Sequence, residues 1–89
     1  PREALAVDDV YLKEMNWLDA PIPAGGREVA VKLRSTRPPV PATIRPLGEG
    51  RAVVRLARPE QGVAGGQACV VYDGDRVLGG GWIMGAARG

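Results

Sequence analysis

Three short stretches near the C-terminal side of this sequence hold residue types that could do chemistry. They are "YDGDR", with Asp73 and Asp75; "QACVVY", with Cys69; and "LGGGWI", with Gly79, Gly80 and Gly81. Two carboxylates two residues apart invite a metal or acid/base reading, but no third ligand is near in sequence, and Asp-Gly is favoured turn chemistry. We therefore read Asp73-Gly74 as a two-residue type I′ hairpin turn. A glycine run can cradle a phosphate when a strand precedes it and a helix N-terminus follows. Here "MGAARG" follows without apolar periodicity, and the run lacks both the Lys-Ser/Thr of a Walker loop and the spacing of GxGxxG. The glycines are better read as a bulge, a tight barrel bend or a close approach of neighbouring backbone. Cys69 sits in an apolar run, where a free cysteine behaves as a small buried hydrophobe, and nothing near it in sequence would lower its thiol pKa.

Composition narrows the chemistry further. The chain has no histidine and one cysteine, so the usual zinc sites, Ser-His-Asp triads and Cys-His pairs cannot be assembled from it. No internal disulfide framework is possible, which suits a reducing cytosol. At 89 residues the sequence describes one domain with one core. No apolar stretch approaches the roughly 18 residues of a membrane span, and no basic-then-apolar leader is present, so the expectation is a soluble chain with no membrane partner. The net charge of +2 is unevenly spread: three basic and six acidic residues lie in 1–28, nine basic and four acidic from Val29 onward. The basic two-thirds could attract a polyanion, or could simply be a solvated surface.

These side chains must be positioned by strands. Apolar and polar residues alternate, and Gly and Pro punctuate the chain every eight to twelve residues or so, the pattern of a small barrel or sandwich. The expected fold is all-β, a small antiparallel β-barrel of about six strands. "ALAVDDVYLKEMNWL" is ambiguous, since Val7, Val10, Tyr11 and Met15 could form a helical stripe; we favour a strand at Asp9–Glu14. "LDAPIPAGG" is a loop. "REVAVKLRS" places Val29, Val31 and Leu33 on one face and Ala30, Lys32 and Arg34 on the other. "TRPPVP" should break the ladder. "ATIRPL" and "RAVVRLA" form a hairpin through Gly48-Glu49-Gly50, "RPEQGVAGG" is a surface loop, and "QACVVY" and "RVLGGGWI" make the last pair.

Taken together and in order, "NWL" (16–18), "VKLRST" (31–36) and "GQACVVYDGDRVLGGGWI" (66–83) resemble the C-terminal domain of the tRNA-specific 2-thiouridylases. The resemblance implies residues 1–11 as a lead-in from a central domain, 12–85 as a C-terminal β-barrel like the second domain of elongation factor Tu, and 86–89 as a tail. It also implies a three-part enzyme that adenylates the C2 oxygen of the wobble uridine of tRNA and replaces it with sulfur from a cysteine persulfide. ATP, the persulfide donor, a sulfur-relay protein and contact with the tRNA anticodon region belong to that whole cytoplasmic enzyme. This chain lacks the family's SGGxDS nucleotide motif and its catalytic cysteine pair; Cys69 matches neither cysteine, so no catalytic residue, cofactor or metal is expected here. Gly65 stands where the family pattern leads us to expect proline, which relaxes that loop. The name methyltransferase has been attached to this family, but no S-adenosylmethionine-binding pattern is visible.

Within the resemblance two roles are open. The barrel could help hold tRNA, through Lys32 and Arg34 outward on one strand, Arg37 just beyond, and Arg45 and Arg55 on polar-facing positions of the next two. Phosphate contacts of this type give position without sequence information, and two Trp, two Tyr and no Phe leave little for base stacking. Alternatively the barrel packs on the central domain as a purely structural module, with Trp17, Trp82 and the acidic N-terminal third at the contact. Trp82 is expected either to plug the barrel or to pack against a neighbouring domain.

Overall fold

A computed structural model describes residues 6–18 and 21–88. The lead-in at 1–5, residues 19 and 20 of the "LDAPIPAGG" loop and the final Gly89 lie outside the described residues. Six strands, β1 (Val7–Trp17), β2 (Arg27–Lys32), β3 (Val40–Gly48), β4 (Arg51–Glu60), β5 (Ala68–Asp73) and β6 (Arg76–Ala87), close into a barrel in the order β1-β4-β3-β2-β5-β6. Every pairing is antiparallel. Closure leaves no unpaired strand edge to template aggregation. β1 begins at Val7 and β6 ends at Ala87, so barrel strands extend on both sides of 12–85. Among the described residues no helix is long and apolar enough to cross a membrane.

The alternation read in "REVAVKL" holds: Val29, Val31 and Leu33 are buried, while Ala30 and Lys32 face outward and are half-exposed. Val10, Leu12, Ile44, Val54, Leu56, Cys69, Val71, Leu78 and Ile83 complete most of the interior. Each fully buried Val, Leu or Ile contributes about 1.5–3 kcal/mol by leaving water. Val53 is buried as well, yet stands outside this cluster. Its register partners are Tyr11 and Arg45 on the flanking strands. It is a buried residue of the outer surface, sheltered by longer neighbours.

β1 is longer than the expected Asp9–Glu14, and its ambiguity has a structural cause. Glu14 has φ 53°, and the β1–β6 register shifts between Lys13 and Asn16. This bulge inserts one residue, so inward positions run Val10, Leu12 and then Met15, Trp17, the last two packed against the core. A phase change of that kind breaks period-two alternation and imitates a helical stripe. β3 also starts earlier than expected, at Val40, with Pro41 and Pro46 both inside it. Pro41 is tolerated because, near the strand's start, it pairs with Ala30 of β2 before the pairing with β4 begins at Ala42, and Pro46 because it adjoins the register shift between Pro46 and Gly48.

The last hairpin differs by one residue from the sequence reading. Asp73 pairs with Arg76, so the two-residue loop is Gly74-Asp75 instead of Asp73-Gly74. Only its first position has positive φ, at 60°, which is the II′ arrangement that wants glycine first. The type I′ loop lies in the β3–β4 hairpin, where Glu49 and Gly50 both have positive φ between the paired Gly48 and Arg51.

The glycine run is architectural. A Cβ on Gly79 would fall on the Asn16 carbonyl oxygen and lie 2.9 Å from the Trp17 ring. One on Gly80 would be 2.9 Å from the Cys69 carbonyl oxygen, and one on Gly81 2.5 Å from Met15 Sδ and 2.8 Å from the Lys13 carbonyl oxygen. β6 is thus squeezed between β1 and β5 along these three residues. Trp82, the next residue, does not plug the barrel: it projects from the outer surface, 47% exposed, while Ile83 fills the interior.

Candidate nucleic-acid interface

The basic residues singled out in the sequence do not form one continuous face. Lys32 ends β2, pairs with Val70 of β5 and lies at the end of the barrel where β3 begins. Arg45 sits one residue beyond the Arg27–Ile44 pair, near the other end. At about 3.3 Å per residue, they are separated by roughly 20 Å along the barrel. Arg34 is beyond β2, in the connection to β3, and so is Arg37. Arg55 faces outward from β4 next to Asp9 of β1.

Arg55 is spoken for. Its Nε and Nη2 donate to the two carboxylate oxygens of Asp9, the second at 3.0 Å. The Asp9 hydrogen bond first, and its charge second, raise the guanidinium pKa above its ordinary value. Arg27 is likewise engaged, donating to the Asp73 carboxylate at 2.5 Å. Asp9 with Arg55 joins the acidic N-terminal third to the basic remainder across β1 and β4, and Arg27 with Asp73 joins them in the opposite sense, tertiary cancellations that the charge count along the chain conceals. Arg45 forms no ion pair among the described residues, and its stem lies against Gly26, where a Cβ would meet Arg45 Cγ at 2.7 Å.

Arg34 and Arg37 come together. Residues 34–37 form a turn in which the Arg37 amide donates to the Arg34 carbonyl at 3.4 Å. Both side chains line an open hollow of about 600 Å³ with Pro59, Glu60, Gln61 and Gly62 from the far end of β4 and the loop after it. The Arg34 guanidinium donates to the Gln61 carbonyl and rests against Gly62, where a Cβ would come within 3.1 Å of it. That contact fixes one arginine in place while Arg37 stays exposed. With Glu60 on the wall, the hollow has a net positive charge. The part played by Gln61 and Gly62 had no signal in the sequence beyond their place in a loop, because the contact joins residues 27 positions apart. Arg51 and Arg58, exposed cations of β4, were not singled out either.

The other chemistry-bearing residues are occupied structurally. Asp73 accepts from Arg27 and closes a hairpin. Among the described residues no three His, Cys, Asp or Glu side chains gather as a metal site. Cys69 is fully buried opposite Gly81, and burial pushes its thiol pKa up to about 12. A thiol so protonated at neutral pH is a poor nucleophile. The Gly65-Gly66 loop is held to β6 by backbone hydrogen bonds, Gly66 N to the Ile83 oxygen and Ile83 N to the Gln67 oxygen, both 2.8 Å.

Residues 7–83 match the family model described as the aminomethyltransferase beta-barrel domain. The chain is 56% identical over 92 aligned residues to a protein named tRNA-specific 2-thiouridylase MnmA from Maricaulis maris, covering 100% of this chain and 22% of that protein. It is 55% identical to the protein of that name from Parvibaculum lavamentivorans, over 94% of this chain and 23% of that protein. The same name belongs to a Rickettsia akari protein, 51% identical over 93% of this chain and 23% of its own length. The chain thus spans between a fifth and a quarter of the length of these relatives. On the matched barrel, the chain belongs to the aminomethyltransferase beta-barrel domain family, in the form found as the C-terminal domain of tRNA-specific 2-thiouridylases.

Proposed function

We propose that this barrel serves an ATP-dependent tRNA 2-thiouridylase as a positioning domain, holding tRNA by its phosphates while other parts of the polypeptide perform the thiolation of the wobble uridine. The observation that carries this reading is the Arg34–Arg37 turn, which brings two guanidinium groups to one open hollow and fixes one of them on the Gln61 carbonyl. An arginine restrained in this way loses less freedom on meeting a phosphate than a fully mobile one, and its planar fork suits a phosphate's oxygens. Lys32 lies at the same end of the barrel and extends the positive surface. Arg45 would be a separate, outlying contact, and Arg55 contributes little because Asp9 already neutralises it.

In this reading ATP, the persulfide donor, a sulfur-relay protein and the anticodon-region contacts belong to the rest of a cytoplasmic enzyme. Cys69 takes no part in sulfur transfer, in keeping with its burial, and the 89 residues alone do not thiolate tRNA. The test is charge reversal in the full-length polypeptide. Arg34→Glu with Arg37→Glu should weaken tRNA binding by about tenfold or more and lower the slope of log affinity against log salt by roughly 1–2, as expected for two lost phosphate contacts. Arg55→Glu with Asp9→Arg should leave affinity nearly unchanged. If the Arg34/Arg37 double variant binds tRNA with unaltered affinity and salt slope, the positioning role is wrong.

A further inference from the structure

The outer surface of β5, β6 and β1 has a different character from the arginine-bearing end. The register aligns Val70, Gly80 and Asn16 in one row across these strands, and Ala68, Trp82 and Lys13 in the next. Because residue 80 has no side chain, backbone forms the floor of a groove of about 320 Å³, with Trp82, Val70 and Leu18 among its walls. Leu18 is 67% exposed and Trp82 47% exposed. The Leu18 backbone is tied to β6, its amide donating to the Leu78 carbonyl at 2.9 Å. Val77 and Met84, also on β6, are two more of the exposed large apolar side chains. Clustered rather than scattered apolar exposure marks an interaction surface.

The occupant follows from charge and from length. Among the described residues the single charged one lining the groove is Glu14, an anion, and the nearby Lys13 already lies 3.9 Å from that carboxylate. Lys32 borders the groove as the register partner of Val70, but among the described residues the lining itself carries no cation to meet a phosphate backbone. In the closed order of strands, β6 lies diametrically across from β3, which bears Arg45. The matched relatives are more than four times as long as the stretch this chain covers. We propose that this groove is the face by which the barrel docks onto the remainder of its own polypeptide, taking an apolar side chain of that polypeptide over Gly80 between Trp82 and Leu18. The glycine run then has two uses: Gly79 and Gly81 admit β1 on one side, and Gly80 leaves the groove open on the other. The barrel is held by an apolar face that shares no lining residue with the Arg34–Arg37 hollow.

Hydroxyl-radical footprinting of the full-length polypeptide tests this without altering a residue. Oxidation rates of Trp82 and Leu18 are measured in the native protein and in the same protein unfolded, so that each side chain is its own reference. A docked groove should bring both to about one-tenth of the unfolded rate or less, because an interface core excludes water nearly as well as an interior. Rates near one-half, as their exposure in the free barrel implies, would overturn the proposal. Protection that develops only on adding tRNA would assign the face to RNA, and protection that grows with protein concentration would assign it to a second copy; either result also overturns it. The Arg34–Arg37 reading is judged by tRNA affinity, so it stands or falls separately.

Discussion

The molecule has two glycine-rich segments that look alike as text and are held for opposite reasons. Gly48-Glu49-Gly50 turns the β3–β4 hairpin with positive φ at all three residues (87°, 55° and 73°), and a Cβ on Gly48 would meet nothing within 4 Å. Gly79-Gly80-Gly81 has no positive φ, yet at each of the three a Cβ would meet neighbouring strands or side chains inside 3 Å. The first segment needs glycine for backbone conformation and has room to spare. The second has ordinary extended backbone and no room. Conformational cost is local and bounded, whereas a steric clash inside a closed barrel must be relieved by moving a strand that is paired on both sides.

The strongest test of that contrast is Gly79→Val. With Asn16 backbone and the Trp17 ring in the way, it should destabilise the barrel by more than about 3 kcal/mol, the upper end for overpacking, and denaturant unfolding would show a partly unfolded protein. Gly80→Val, meeting only the Cys69 carbonyl, should cost about 1–3 kcal/mol. Unchanged midpoints for both would mean β6 can slide away from its neighbours, and the contrast would collapse.

Cys69 sharpens the same region, because it is the register partner of Gly81. Its thiol titrates at about 12 when folded, against an ordinary value of 9.0. Above pH 9 the unfolded chain loses a proton that the folded one keeps, so stability is full below pH 9 and declines as pH rises toward 12. Between pH 8 and pH 10 the native protein should lose about 1 kcal/mol more than Cys69→Ala does, on a scale of roughly 1.4 kcal/mol per pH unit. Parallel declines in the two proteins would show that the thiol reaches water.

The smallest effect is expected at the turn. Glu49 occupies the first position of a type I′ loop, where asparagine is better suited to positive φ. Glu49→Asn should stabilise the barrel by a few tenths to about 1 kcal/mol, within the cost range of a left-handed non-glycine residue. A loss of stability measured by thermal unfolding would show that the Glu49 side chain has a role that its φ does not reveal.

Sequence alone determined the strand content, the inward Val29, Val31 and Leu33, the burial of Cys69 and the structural nature of the glycine run. Those follow from period-two alternation and turn chemistry, which act between residues close along the chain. It also favoured a strand for β1 but cut it short at Asp9–Glu14, since the Glu14 bulge shifts the inward phase from Leu12 to Met15 and only pairing with β6 shows that a residue has been inserted. The candidate site was legible as a set of cations and not as an arrangement. Which ones act together was decided by the closed barrel, which sets Asp9 beside Arg55, Asp73 beside Arg27 and Gln61 beside Arg34, contacts between residues 46, 46 and 27 positions apart. Charge cancels or accumulates through space, and the strand order that folds this chain's acidic beginning onto its basic middle is a property of the tertiary structure.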